Sequence, residues 1–186
     1  MIVTETPRLS LRQFKGKDST ALIDIFGDAA VMRYGDGIQT PAWVRRWILE
    51  VQNSYRTWGY GKWAVTNKKT DLLGYCGLSH ADDVCGQSEI TLGYRLARRY
   101  WGQGYASEAV AATIHYGFDT LGLKRLVATI DPCNTASIRV AEKAGLVYEQ
   151  DVMFGGYTHP DRVYVLKKSD WAVRKNSSPL SAAPKR

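Results

Sequence analysis

The segment Glu89 to Leu96, EITLGYRL, alternates apolar and polar residues without a miss. Ile90, Leu92, Tyr94 and Leu96 share one face; Glu89, Thr91, Gly93 and Arg95 share the other, as in a strand with one face buried. Gly93 is a candidate bulge inside that strand. A loop, Ala97 to Gly104, follows. After it Ala106, Val110, Thr113, Ile114, Gly117, Phe118 and Leu121 form the apolar stripe of an amphipathic helix that ends at Leu121-Gly122. A half-buried strand, a glycine-bearing loop and a long amphipathic helix in direct succession require a helix laid on a sheet.

The rest of the chain repeats the alternation of strand-like and helix-like segments. Leu9 to Phe14 has strand periodicity, and Asp18 precedes the helical spacing of Ala21, Leu22, Ile25 and Phe26. Pro41 stands at a first helical position before Val44, Trp47, Ile48 and Val51. Trp63 to Thr66 and Leu72 to Leu78 flank the polar turn Asn67 to Asp71, which predicts a strand pair. Leu126 to Ile130 reads as a strand broken by Asp131-Pro132, and Asn134 or Thr135 caps a short helix that ends at Gly145. Leu146 to Phe154 and Arg162 to Leu166 close the pattern as a strand pair around Gly155-Gly156. The order predicts an α/β or α+β domain with a mixed sheet.

With 186 residues, the chain has the size of one ordinary domain. No apolar run approaches the roughly 20 residues of a membrane helix, and Met1 to Arg12 has no apolar stretch of signal-peptide length. A cytoplasmic protein is expected. Cys76, Cys85 and Cys133 have no C-x-x-C spacing, so free and mostly buried thiols are expected, with no zinc site. His80, His115 and His159 are isolated. The formal net charge is +7. From Lys167 onward six basic residues stand against Asp170 alone, so +5 of it lies at the C-terminal end. Residues 171–186 are expected to form a basic tail, disordered at least over Asn176 to Arg186, and residues 1–170 the folded domain. That location argues against nucleic acid as a main partner.

The chemistry is concentrated in Arg98-Arg99-Tyr100-Trp101-Gly102-Gln103-Gly104-Tyr105-Ala106-Ser107-Glu108. The first turn of a helix has unpaired N–H groups and about half a positive charge. Gly102 and Gly104 let backbone approach a phosphate, and Arg98 and Arg99 add charge, so the loop reads as an anion site or as a strand-to-helix turn whose glycines serve geometry alone. It is not a Walker A loop, because Gly104 is followed by Tyr105-Ala106. It is not a Rossmann loop, because it lies mid-chain.

Glu89 to Gly145 resembles the GNAT acetyltransferase superfamily, in particular the branch of ribosomal-protein N-terminal acetyltransferases. Arg99-Tyr100-Trp101-Gly102-Gln103-Gly104 matches the pyrophosphate-loop pattern of that family, Arg/Gln-x-x-Gly-x-Gly/Ala. The flanking Glu89 to Tyr94, Tyr105 to Ala109, Asn134 to Gly145 and the opening Thr6 to Arg12 resemble the branch in the same order. The resemblance implies a mixed, mostly antiparallel sheet flanked by helices, with splayed central strands. It implies acetyl-CoA as cosubstrate, held by Arg99, Tyr100, Trp101, Gly102, Gln103, Gly104 and Tyr105 through the backbone. It further implies an oxyanion donor near Leu92 or Gly93, a cofactor contact at Asn134, and Ser137 as the acid that protonates the departing thiolate. Arg139 and Lys143 stand near the phosphates or on a solvated face.

The attacking amine must be neutral. An α-amine of pKa about 8 is roughly a tenth neutral at pH 7, and a lysine far less. Glu89 is the candidate base, directly or through water. No metal is needed, because a thioester already has a competent leaving group. Met32, Tyr34, Phe154 and Tyr157 are candidates to line the acceptor site, or to be core. The expected reaction is direct acetyl transfer to a primary amine, on a protein N-terminus or a small molecule, by a monomer or homodimer. The alternative is a non-catalytic acyl-CoA-binding sensor or scaffold.

Overall fold

The computed structural model of the chain describes residues 1–177. Eight strands share one sheet. In chain order they are β1 (Ile2–Glu5), β2 (Leu9–Arg12), β3 (Lys62–Asn67), β4 (Leu72–Val84), β5 (Gln87–Leu96), β6 (Arg125–Ile130), β7 (Val147–Val152) and β8 (Asp161–Lys167). Their spatial order is β1-β2-β3-β4-β5-β6-β8-β7. Each neighbouring pair is antiparallel except β5 and β6. β4 runs on past Leu78 to Val84 and forms a long hairpin with β5. Their turn places Cys85 (φ 57°) and Gly86 (φ 84°) in the left-handed region, the twist-matched geometry for a two-residue hairpin loop.

The parallel pair decides the architecture. β5 and β6 register only at Thr91 and Val127, although β5 continues to Leu96 and β6 to Ile130. Beyond that point the two strands part and leave a gap in the middle of the sheet. Gly93 is not a bulge: β5 keeps regular register with β4 from Glu89 to Leu96, and the irregularity falls instead between Ala81 and Val84.

Helices α1 (Ser19–Phe26), α2 (Ala29–Met32) and α3 (Pro41–Thr57) cover one face. Thr40 caps α3 by accepting from the Trp43 N–H at 3.2 Å, with Pro41 at the first helical position. Leu22, Phe26, Val44 and Ile48 pack there against Ala64 and Leu72 of the sheet. The opposite face carries α4 (Tyr105–His115) and α5 (Thr135–Lys143). Val110, Ile114, Ile138 and Ala141 pack on Trp63, Leu78, Leu92 and Leu126. α4 does not run unbroken to Leu121. Tyr116 to Thr120 form a π-turn, with the Leu121 N–H donating to the Tyr116 carbonyl at 3.0 Å.

The expected boundary after residue 170 does not fall there. α6 (Lys168–Ser177) carries Trp171 back onto Phe118, ring centroids 5.3 Å apart, and onto His115 at 5.7 Å. The fold recruits this segment because one large apolar ring finds a partner, which net polarity does not reveal. Residues 178–186 of the expected tail lie outside the described residues. The thiols also differ from expectation: Cys76 is buried, whereas Cys85 and Cys133 are exposed. No described helix is long and apolar enough to cross a membrane.

Candidate active site

The loop between β5 and α4 is shaped by its two glycines. Gly102 (φ 73°) and Gly104 (φ 79°) occupy the left-handed region, and Gly104 is the N-cap of α4. The first helical hydrogen bond runs from the Glu108 N–H to the Gly104 carbonyl at 3.1 Å, so the N–H groups of Tyr105 to Ser107 precede it and point out of the helix end. The Trp101 indole donates to the Leu96 carbonyl at 2.8 Å, and the Gln103 amide donates to the Arg99 carbonyl at 2.9 Å. These bonds brace the loop from inside.

The N-terminal strands brace it from outside. Arg8 donates from Nε to the Glu108 carboxylate at 2.6 Å and from Nη1 to the Gln103 carbonyl at 3.0 Å. Its guanidinium lies 4.6 Å from the Tyr105 ring centroid. Thr6 donates to the same carboxylate at 2.5 Å. Burial alone raises the Glu108 pKa, but the Thr6 and Arg8 hydrogen bonds outweigh it and hold the carboxylate below its usual range. Arg8 was quoted from the sequence only as part of a strand motif; its place at the loop needs the fold.

A cleft of about 420 Å³ opens above this loop. It is lined by Tyr34, Tyr94, Tyr100, Trp101, Gly102, Gly104, Tyr105, Asn134, Ser137 and Arg139 among others. A second cavity of about 210 Å³ occupies the gap between β5 and β6. Tyr94, Asn134 and Ser137 line both, and Leu92 and Gly93 line the second with Tyr75, Arg95, Asp131 and Asp161. Asn134 caps α5 by accepting from the Ser137 N–H at 3.2 Å.

At the junction of the two cavities the Tyr94 hydroxyl lies 3.0 Å from Ser137 Oγ. Burial raises the Tyr94 pKa and the Ser137 hydrogen bond offsets part of it, so the phenol holds its proton at neutral pH. Tyr94 was read from the sequence as one more apolar-face residue. A phenol on the face turned toward the helix of Ser137 was the signal available. On the far side of the gap, burial raises the Asp161 carboxyl above its ordinary value, and Asp131 adds repulsion. Asp131 pairs with His159 at 3.2 Å.

Several sequence candidates lie elsewhere. Glu89 does not reach either cavity. It sits at the closed end of the β5–β6 pair, two residues before Thr91, where it accepts from Arg125 Nε at 2.8 Å and from the Gln87 amide at 2.8 Å. Arg125 also grips Glu149 at 2.6 Å, so Glu89 belongs to a structural ion triad. The Arg99 guanidinium lies 4.9 Å from the Tyr100 ring centroid and Arg99 borders a separate pocket with Asp24 and Asp28, while its backbone, the part assigned to the cofactor, stays in the loop. Lys143 does not line the cleft and is exposed, whereas Arg139 does line it. Met32 is buried and accepts through sulfur from Arg95. Phe154 and Tyr157 pack edge-on in the β7–β8 connection, and Tyr157 donates to Asp36 at 2.8 Å, tying that loop to the one after α2. The hydrogen bond to Asp36 and burial push the Tyr157 phenol up to about 12.

The family model described as Acetyltransferase (GNAT) domain matches residues 8–147. The chain belongs to the GNAT acetyltransferase family. Curated relatives agree. YkkB of Bacillus subtilis is 37% identical over 149 residues, 79% of this chain and 86% of the relative. The N-acetyltransferase p20 of Bacillus licheniformis is 34% identical over 154 residues, 78% and 85% of the two chains. Among solved structures, a GNAT-family acetyltransferase from Bacillus anthracis superposes with a TM-score of 0.76 at 28% identity, covering 91% of this chain and 99% of that one. RimL, a ribosomal L7/L12 α-N-protein acetyltransferase solved with coenzyme A, shares the fold with a TM-score of 0.74 at 18% identity, covering 90% and 98%. This GNAT domain is therefore an acetyltransferase, and GNAT acetyltransferases use acetyl-CoA. Its glycine-shaped loop, open helix end and nearby Arg8 and Arg139 fit the phosphates of such a molecule.

Proposed function

We propose that this GNAT domain moves the acetyl group of acetyl-CoA directly to a primary amine at the gap between β5 and β6. The observation that carries this reading is the Tyr94–Ser137 hydroxyl pair, which lies where the loop-side cleft meets the gap. The loop from Tyr100 to Tyr105 holds the pyrophosphate, Asn134 and Arg139 border the pantetheine and phosphates, and backbone at Leu92 or Gly93 polarises the thioester carbonyl. The amine nitrogen attacks the carbonyl carbon, forming the C–N bond as the C–S bond breaks. Ser137 gives its proton to the leaving sulfur and regains one from Tyr94. Asp161, with its carboxyl raised by burial, takes the proton that the amine loses. Tyr34, Phe154 and Tyr157 shape the acceptor entrance; Met32 supports it from beneath through Arg95.

Thermal unfolding with acetyl-CoA, beside ATP and NADH, tests the first half. A ligand at 100 times its Kd stabilises by about 2.7 kcal/mol, and acetyl-CoA alone is expected to raise the midpoint. Thiol release with an amine panel tests the second. Ser137→Ala and Tyr94→Phe are each expected to lower kcat by about 10²-fold or more while the acetyl-CoA shift persists. Unchanged turnover in both variants would remove the pair from the mechanism.

A further inference from the structure

Lys62, Gly77 and Gly93 form one cross-strand row on the face covered by α1 to α3, since Lys62 pairs with Gly77 and Gly77 with Gly93. A side chain at Gly77 would run into backbone, and one at Gly93 would displace the Lys62 ammonium. A Cβ at Gly77 would stand 2.7 Å from Lys62 Cα, and one at Gly93 would stand 2.9 Å from Lys62 Nζ. The row is a trench through which the lysine crosses β4 and delivers its ammonium onto β5 beside the gap. Tyr55 fixes the start of the trench by donating to the Lys62 carbonyl.

Arg95 stands two residues on, on the same face, and lines the gap cavity with Gly93 and Tyr75. Its hydrogen bond goes to the Met32 thioether, a weak acceptor, and its guanidinium rests 5.6 Å from the Phe26 ring centroid. Neither Lys62 nor Arg95 forms an ion pair among the described residues. Arg95 lines the cavity and the Lys62 ammonium stands over Gly93, which lines it too; two such cations with no carboxylate within ion-pair distance are costly unless an anion joins them. Burial, with Arg95 adding repulsion, lowers the Lys62 ammonium to about 8. Asp131 and Asp161 also line the cavity, but neither is within ion-pair distance of Lys62 or Arg95.

We infer that Lys62 and Arg95 bind a carboxylate of the acceptor, so that the substrate is a small amine that also carries a carboxylate, as an amino acid does. This deepens the amine-acetylation reading and rests on it. The trench exists to hold the ammonium at Gly93, the strand position beside the reacting carbonyl. The carboxylate lies between Lys62 and Arg95, and the amine is left toward Asp161. A polyamine would meet two positive charges where it needs negative ones, and an amide-blocked acceptor would leave both cations unanswered.

Calorimetry on the full chain saturated with coenzyme A tests this without turnover. The probes are a panel of N-acetyl-amino acids and the matching N-acetyl-amino acid amides. The acids are expected to bind about ten- to a hundred-fold more tightly than their amides, the range for a charged hydrogen bond. Lys62→Met, which keeps the length of the stem, and Arg95→Met are each expected to erase that preference, and Lys62→Met to do so while leaving acetyl-CoA stabilisation intact. Equal binding of acids and amides, tighter binding of amides, or no binding by any member of the panel would overturn the inference. Its failure is separable from that of amine acetylation: thiol release with polyamines or amides, and none with amino acids, would keep the reaction and discard this acceptor.

Discussion

At the residue scale the two carboxylates Asp18 and Asp161 illustrate opposite outcomes of burial. Asp18 is 6% exposed, and burial alone would raise its pKa. The Arg12 fork at 2.7 and 2.8 Å and the Lys15 N–H at 2.7 Å outweigh burial and hold it low. A carboxylate lowered on folding contributes stability above its unfolded pKa and loses it as pH falls through the folded value. Asp18→Asn is therefore expected to cost about 3 kcal/mol at pH 7, and the deficit should shrink below pH 4 in denaturant titrations. Asp161 has no such donors among the described residues. Its folded pKa is raised, so its native-state cost is felt above that pKa and vanishes in acid. Asp161→Asn is expected to raise the midpoint at pH 7 to 8 while lowering kcat. A variant both less stable and fully active would refute the role given to it. Lys62 follows the same logic with the sign of a base. Its folded pKa is lowered to about 8, so stability should climb between pH 8 and 10 in the parent and less in Lys62→Met.

At the element scale the loop and the start of α4 act as one unit clamped by the N-terminal hairpin. Gly104 caps α4 in a conformation that disfavours any Cβ, and Arg8 Nη2 lies 3.4 Å from where one would be. Gly104→Ala is expected to cost about 1–2 kcal/mol and to weaken acetyl-CoA binding, as read by calorimetry. Arg8→Met should weaken binding with a smaller loss of stability, because its ion pair with Glu108 is half-exposed. If Arg8→Met left acetyl-CoA affinity unchanged, the clamp would be structural only. The loop itself was legible in the sequence, because glycine spacing after a perfect strand and before an apolar stripe leaves few alternatives. The clamp was not: Thr6 and Arg8 lie about 100 residues from Glu108, and no local pattern couples them.

At the scale of the whole molecule, the proposed function rests on one defect in the sheet. Nearly all strands pair along their length, and β5 and β6 touch once and separate, so Tyr94, Ser137 and Asp161 gather at a gap rather than on a surface. The C-terminal helix closes the far side through Trp171. Trp171→Ala is expected to remove about 2 kcal/mol, less than for a fully enclosed tryptophan, a midpoint drop of roughly 4–8 °C for a domain of this size. A change within 1 °C would show that α6 contributes nothing to the fold.

The sequence by itself determined the strand–loop–helix unit, the helices on a mixed sheet, the glycine-bearing loop from Tyr100 to Tyr105, and the place of Asn134 and Ser137 at the later helix. Each rests on local periodicity or short-range spacing, which the backbone enforces within a few residues. Only the tertiary structure decided that Tyr94 meets Ser137, that Glu89 is held by Arg125 away from the cavity, and that Lys62 crosses Gly77 to reach Gly93. Those relations depend on strand register across the sheet. Register is set by the packing of both faces at once, and a single strand read alone does not contain it.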